Sequence, residues 1–117
     1  MESISYYDGL KENYYHGLLL GMSIIFSYDY YLLSNRESGE GRYDIQLQPK
    51  TAAMPGIIIE IKAAKDATEE KLKALAANAL AQIESKKYDT ELRKQSIKTI
   101  YKYGIAFSGK KVEIATN

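Results

Sequence analysis

The sequence contains no cysteine and only one histidine among its 117 residues, and these scarcities narrow the chemistry it can support. Without cysteine there are no disulfides and no thiolate zinc sites, and a single histidine excludes a metal site built from several imidazoles. No apolar run approaches the ~20 residues of a membrane-spanning helix. The N-terminus lacks the basic region and apolar core of a signal peptide. We therefore expect a cytoplasmic protein.

An excess of charge of one sign is also absent. Sixteen Lys and Arg residues against fifteen Asp and Glu residues give a net charge of +1, whereas strong nonspecific nucleic-acid binders usually carry a clear basic excess. Any contact with nucleic acid would depend on local clustering or on other domains. The apolar content of 45% is typical of globular proteins, and the length predicts a single domain over residues 1–117.

Residues 41–62, GRYDIQLQPKTAAMPGIIIEIK, are predicted to form two strands joined by a loop that begins and ends near the two prolines. Alternation puts Asp44 on one face of the first strand. It puts Glu60 and Lys62 on one face of the second strand, which follows an apolar run typical of a strand covered on both sides. If the strands are neighbours, Asp44 approaches Glu60, and two carboxylates share a face with one ammonium group.

Two kinds of chemistry fit this cluster of charges. Buried charges are costly unless they are paired or bound to metal, and hard carboxylates suit Mg²⁺ or Mn²⁺. A bound ion lowers the pKa of its water and holds a phosphate beside it, while a nearby lysine can orient that water. The alternative is an ordinary ion-pair cluster of Asp44, Glu60 and Lys62 at the edge of a sheet.

The pattern of Asp44, then Glu60, Ile61 and Lys62 at the end of an apolar strand, resembles the PD-(D/E)XK nuclease superfamily. The entry to the first acid, GRYD, resembles the GxxD of RecB-like members. Five segments resemble more closely the predicted nuclease domains at the C-terminal end of AAA-ATPase-like proteins in bacteria: YYHGLLLG, SNRESGEGRYDI, GIIIEIK, AQIESKKY and YGIAFSGKKV. The resemblance covers nearly the whole chain.

The resemblance implies an α/β fold with a restriction-endonuclease-like αβββαβ core, in which helices flank a mixed sheet of four to five strands. It also implies a DNA substrate and an association with an AAA-ATPase-like domain. Asp44, Glu60 and the Ile61 carbonyl would then bind Mg²⁺ or Mn²⁺, and Lys62 would position the attacking water. Glu12 resembles the acid that the first helix often supplies to the metal site.

Further residues are candidates for the functional site, and each also has a non-functional interpretation. Gln82 resembles the glutamine of the RecB-like QxxxY pattern, but five residues separate it from Tyr88, so the spacing departs from that pattern. Gln82 is otherwise a polar residue at a helix margin, and Glu12 a solvated residue favoured by the helix dipole. His16 is a candidate phosphate or water partner, although a lone histidine at a helix edge is more often structural.

Two arginines are candidates for contacts with phosphate. Arg36 lies in a predicted turn, residues 34–41, and Arg42 lies on the predicted Asp44 face. Both can instead form salt bridges, Arg36 with a neighbouring glutamate and Arg42 with one of the two site carboxylates. The lysines between residues 86 and 111 are expected to be a solvated face unless they converge beside the carboxylates.

The remaining elements follow from periodicity. A helix is predicted from Lys11 to Tyr28, where Gly17 and Gly21 would let another element approach closely. A strand follows over residues 28–35, and a long helix begins after Thr68 with an apolar stripe. The strand period returns from Ile97, and parallel pairing of that strand with one before the long helix requires a crossover. A hairpin leads to a last strand over residues 111–114, and an exposed edge strand could pair into a homodimer.

These features lead to two main functional hypotheses, beside the third possibility of a structural or regulatory module that never meets nucleic acid. The first is a metal-dependent phosphodiester hydrolase, a DNA endonuclease that uses Asp44 and Glu60 as ligands and Lys62 to position water. The second is a catalytically inactive module that binds nucleic acid or a partner beside an AAA-ATPase-like domain. The near-zero net charge favours the second hypothesis, and the combination of Asp44, Glu60 and Lys62 favours the first.

Overall fold

A computed structural model describes residues 17–37, 42–85 and 90–117, without the side chains of residues 35–37, 42–43 and 90–91. Residues 17–26 are helical and are called α1 here. The other elements are β1 (Tyr30–Glu37), β2 (Arg42–Pro49), β3 (Gly56–Ala63), α2 (Glu69–Ser85), α3 (Thr90–Lys94), β4 (Ile100–Ser108) and β5 (Lys111–Thr116). None of the described helices is long and apolar enough to cross a membrane.

The five strands form one mixed sheet in the order β1-β2-β3-β4-β5. The pairs β1–β2, β2–β3 and β4–β5 are antiparallel, and β3–β4 is parallel. The parallel step is made through α2 and α3, because two parallel neighbours need a long crossover. The prediction of a mixed sheet of four to five strands flanked by helices is confirmed, and the sheet has five strands.

The two faces of the sheet carry separate apolar clusters. On one face, the central strands and β4 pack against Leu18, Leu19 and Met22 of α1. On the other face, Ile58 of β3 packs against Ile83 of α2. Alternation along β3 therefore directs Ile57, Ile59 and Ile61 towards α1 and Ile58, Glu60 and Lys62 towards α2. The two charged residues share their face with a fully buried isoleucine.

Helix α2 packs closely on β4 because Gly104 has no side chain. A Cβ atom at Gly104 would collide with the carbonyl oxygen of Ala76 and would lie 2.6 Å from the backbone nitrogen of Leu80. Gly104 is also the β4 residue that pairs with Glu60. The closest approach of helix and sheet thus lies beside the position of Glu60.

The sequence located most of α2 correctly. Thr68 caps the helix, since the backbone N–H of Lys71 donates to Thr68 Oγ1 at 3.2 Å and that of Leu72 donates to the Thr68 carbonyl at 2.9 Å. The predicted apolar stripe supplies all the buried residues of the helix, which are Leu72, Ala76, Ala79 and Ile83. The predicted hairpin is confirmed, with Gly109 at a positive φ of 60° between β4 and β5.

Three local predictions were wrong. Gly17 and Gly21 do not admit a neighbouring element among the described residues, because no atom of another described element lies within 4 Å of the Cβ position at either residue. The apolar residues of α1 that contact the sheet are instead Leu18, Leu19 and Met22. The predicted close approach occurs at Gly104 instead.

The other two corrections concern strand ends. Strand β1 continues through Arg36 to Glu37, so Arg36 lies in a ladder opposite Tyr43 rather than in a turn. Strand β4 begins at Ile100 and not at Ile97. The backbone N–H of Ile97 donates to the Leu92 carbonyl at 3.2 Å, which closes the turn after α3 and buries Ile97 without a strand.

Candidate functional site

Asp44 and Glu60 lie directly opposite each other on the antiparallel strands β2 and β3. Residues paired in this way have Cβ atoms about 4.5–5.5 Å apart, so the two carboxylates share one end of the same sheet face. The next pair on this face is Arg42 with Lys62. The two strands are neighbours, and the prediction that such an arrangement would bring Asp44 to Glu60 is confirmed.

The two carboxylates differ in burial. Glu60 is 1% exposed, because β3 is flanked by β2 and β4 and its face towards α2 is covered. Asp44 and Lys62 are half-buried. Asp44, Glu60 and Lys62 each take part in polar interactions, so this geometry is compatible both with a metal site and with the ion-pair cluster. The roles predicted for these three residues stay predictions.

Gln82 lies on α2, one helical turn after the helix's closest approach to the sheet. Ala79 Cβ lies 3.1 Å from the Cβ position at Gly104, the residue paired with Glu60, and Gln82 follows Ala79 by three residues. Its Oε1 atom is buried and accepts no hydrogen bond from any part of the chain that the structure describes. A buried acceptor left in this state costs about 1–3 kcal/mol, so a donor or a cation bound here would be stabilising.

Lys102 is a charged residue of this face that the sequence analysis assigned wrongly. It was expected to belong to a solvated run, but it is 5% exposed. Its Nζ atom donates to Glu84 Oε1 of α2 at 2.9 Å, and its backbone N–H donates to Asn117 Oδ1 at 3.0 Å. Lys102 pairs with Ile58 in the sheet, next along this face from the Gly104 and Glu60 pair.

A signal for the burial of Lys102 was present in the sequence. Alternation along β4 places Lys102 on the same face as Gly104 and Ala106, and small residues in a strand indicate a closely packed partner. The lysine is buried because α2 covers that face, with only its ammonium group reaching the half-exposed Glu84. A second ammonium group thus lies on the face of the acidic pair.

The structure describes less of the other predicted site residues. Glu12, His16 and Tyr88 lie outside the described residues. The side chains of Arg36 and Arg42 are not described, although Arg42 pairs with Lys62 through the backbone. Ile61, whose carbonyl was predicted as a ligand, directs its buried side chain to the opposite face. Residues 17–37, 42–85 and 90–117 contain no group of three or more Asp, Glu or His side chains able to hold a metal.

Comparison with known proteins supplies the family. A model of the PD-(D/E)XK nuclease superfamily matches residues 10–117. The chain belongs to this superfamily. The five-stranded mixed sheet with flanking helices is consistent with the restriction-endonuclease-like fold of PD-(D/E)XK proteins, and these nucleases generally use divalent metal ions. No curated protein and no solved structure gave a significant match.

The residues on this face of the PD-(D/E)XK chain fit a hard divalent cation. Carboxylate oxygens are the ligands that Mg²⁺ and Mn²⁺ prefer, and the cross-strand pair supplies two such groups. The buried amide oxygen of Gln82 is a further hard donor on the helix that covers this face. Two carboxylates with waters and a substrate phosphate are a common Mg²⁺ donor set, so a third acidic residue is not required.

Proposed function

We propose that this chain is a metal-dependent phosphodiester hydrolase that cleaves DNA, with Asp44 and Glu60 as metal ligands. One observation carries the proposal: the two acids are direct cross-strand partners in a chain of a nuclease superfamily. A one-residue shift in the pairing of β2 with β3 would separate these acids onto opposite faces.

The burial of Glu60 is compatible with a bound cation. Removing a carboxylate from water costs several kcal/mol unless attraction to a positive charge compensates for it, and Glu60 is almost completely buried. A divalent ion held by Asp44, Glu60 and the Ile61 carbonyl would lower the pKa of a water molecule and neutralise charge on the scissile phosphate. Glu12 and Gln82 are the proposed supporting ligands.

Lys62 is the proposed positioning group for the attacking water. It lies on the face of Glu60 two residues further along β3, about 7 Å away along the strand. Its ammonium group is half-buried and has three N–H donors. One donor can orient the water, and another can contact a non-bridging phosphate oxygen on which negative charge develops.

The approach of the substrate backbone needs positive charge beside the acids. Arg42, opposite Lys62 in the sheet, is the proposed phosphate contact nearest to the acidic pair. Arg36 and His16 are proposed as further contacts with the nucleic-acid backbone. The net charge of +1 provides little general attraction for DNA. For this reason we propose that an AAA-ATPase-like partner delivers the DNA, as the resemblance of five segments to such associated domains suggests.

A cleavage assay tests the proposal. Plasmid, single-stranded and branched DNA would each be incubated with Mg²⁺ or Mn²⁺ and with the wild type, Asp44→Asn, Lys62→Ala or Lys98→Ala. We expect cleavage by the wild type and a decrease of about 10²–10⁴-fold for Lys62→Ala, because an acid–base or charge-stabilising group is removed. Asp44→Asn should also be inactive, whereas the exposed Lys98 serves as a control that keeps full activity.

Two results would contradict the hydrolase proposal. Cleavage that survives both Asp44→Asn and Lys62→Ala would mean that another site, or a contaminant, cuts the DNA. No cleavage of any substrate, together with salt-dependent DNA binding without metal, would support the inactive binding module instead. The near-zero net charge is the observation that favours this second function.

A further inference from the structure

Among the described residues, the helices cover only part of the sheet face that carries the acidic pair. Helix α2 packs on β3, β4 and β5. On β1 and β2 the same face presents the cross-strand pairs Tyr31 with Gln48 and Leu33 with Gln46. Tyr31 is 59% exposed and Leu33 is 47% exposed. We call these four residues the open shelf.

The open shelf is continuous with the acidic pair. Gln46 and Asp44 are successive residues on one face of β2, so the shelf begins beside Asp44. Four residues of strand separate Asp44 from Gln48, the partner of Tyr31. At about 3.4 Å per residue, Tyr31 lies about 14 Å from Asp44.

A lysine is held against the far end of the shelf. The Nζ atom of Lys50 lies over the ring of Tyr31, 5.1 Å from its centroid. The same ammonium group donates to the Ser27 carbonyl at 3.0 Å, which anchors it at the turn after α1. More than half of the tyrosine's surface remains accessible, so the ring has a positive charge over it and still presents exposed aromatic surface.

We propose that the open shelf binds unpaired nucleotides of a single-stranded nucleic acid that leads into the acidic pair. One base stacks on Tyr31, and Lys50 contacts an adjacent phosphate. The path of the bound strand rests on the proposed hydrolase function. A strand that continues from Tyr31 along the shelf would bring its next phosphates to Asp44 and Glu60. The strand would span the distance of about 14 Å between Tyr31 and Asp44.

The chemistry of the shelf favours a single strand over a duplex. Bases in a duplex stack on one another, so their faces are not available to a protein ring, whereas unpaired bases stack on aromatic side chains irrespective of sequence. Gln46 and Gln48 carry amide groups that donate to and accept from the edges of unpaired bases. Lys50 adds the positive charge that complements the backbone.

Binding measurements without divalent metal test the shelf separately from catalysis. Fluorescence anisotropy would compare a labelled single strand with a blunt duplex of the same length, in EDTA, using both DNA and RNA strands. The key variant is Tyr31→Leu, with Tyr31→Phe as the conservative variant. Tyr101→Leu is a matched control, because Tyr101 is 46% exposed and lies on the opposite face, paired with Ile57.

We expect Tyr31→Leu to weaken single-strand binding by roughly 5- to 150-fold, the range for loss of one base–aromatic stack. Tyr31→Phe and Tyr101→Leu should remain within about twofold of the wild type because an aromatic ring is still present on the shelf. Lys50→Gln should reduce the slope of log affinity against log salt by about 0.7, the value for one phosphate contact with a single strand. Lys98→Gln should leave that slope unchanged.

Three results would each overturn the proposal. They are equal losses of affinity for Tyr31→Leu and Tyr101→Leu, unchanged binding by Tyr31→Leu, and equal affinity of the wild type for duplex and single strand. Comparison of the affinities for the DNA strand and the RNA strand identifies which single strand the shelf prefers. Asp44-dependent cleavage with normal binding by Tyr31→Leu would refute the shelf and leave the hydrolase intact. Tyr31-dependent binding without cleavage would support the shelf and refute the hydrolase.

Discussion

The covered and open halves of one sheet face differ in composition and in burial. Beneath α2, strand β4 contributes Gly104 and Ala106, and the helix contributes small and branched apolar residues that pack against them. Beside this, β1 and β2 contribute Tyr31, Leu33 and glutamines that no described helix covers. The acidic pair lies at the boundary, with Glu60 in the covered half and Asp44 beside the open half. One carboxylate is thus fully buried while the other is half-buried.

The two halves should differ most in how much the free energy of unfolding falls when a large side chain is truncated. Ile58 is fully buried under α2 and α3, so Ile58→Ala should decrease the free energy of unfolding by about 2–5 kcal/mol. Leu33→Ala, on the open shelf, should cost less than about 1 kcal/mol because Leu33 is half exposed. Urea unfolding measures both values, and equal losses would mean that the shelf is covered in solution.

A smaller effect is expected from the contact that brings α2 onto the sheet. Gly104→Ala should lower the free energy of unfolding by about 1–3 kcal/mol or more, because the added methyl group meets backbone atoms of Ala76 and Leu80 that cannot rotate away. Gly21→Ala is the control, since open space surrounds it and the substitution should stabilise α1 by about 0.5–1 kcal/mol. A Gly104→Ala protein as stable as the wild type would contradict the close packing of α2.

Loss of the ion pair between β4 and α2 should lower the free energy of unfolding by a still smaller amount. Glu84→Gln removes the charged partner of the buried Lys102, and we expect a loss of about 1–2 kcal/mol, since Glu84 itself is half exposed. Lys73→Gln, which breaks the exposed i,i+4 pair of Lys73 with Glu69, should cost less than about 0.5 kcal/mol. Thermal unfolding at low and high salt distinguishes the two pairs, because only the exposed pair should respond strongly to salt.

The sequence was sufficient to predict the central strands. The apolar run before Glu60 is typical of a strand covered on both faces, and alternation then assigned Asp44, Glu60 and Lys62 to one side. The approach of Asp44 to Glu60 was predicted only on the condition that the two strands are neighbours, and the structure has that pairing. Local patterns were enough here because strand alternation directly determines which residues share a face.

Burial that depends on a distant element was not predictable in the same way. Lys102 resembles its exposed lysine neighbours along the chain, and it is buried only because α2 lies over β4. Tyr31 and Leu33 have the character of core residues, and they are exposed because α2 stops short of β1. The predicted single domain, the cytoplasmic location, the homodimer and the roles of Glu12 and His16 stay predictions.

Calorimetric titration with Mn²⁺ tests most directly whether the acidic pair is a metal site. The wild type, Asp44→Asn, Glu60→Gln and Glu113→Gln would be compared, and Glu113 is a matched carboxylate on the same sheet face at the opposite edge. We predict a saturable heat for the wild type and for Glu113→Gln, and its loss in the Asp44 and Glu60 variants, because each removes one of two anionic ligands. Equal heats in all four proteins would contradict the assignment of Asp44 and Glu60 as the metal-binding pair.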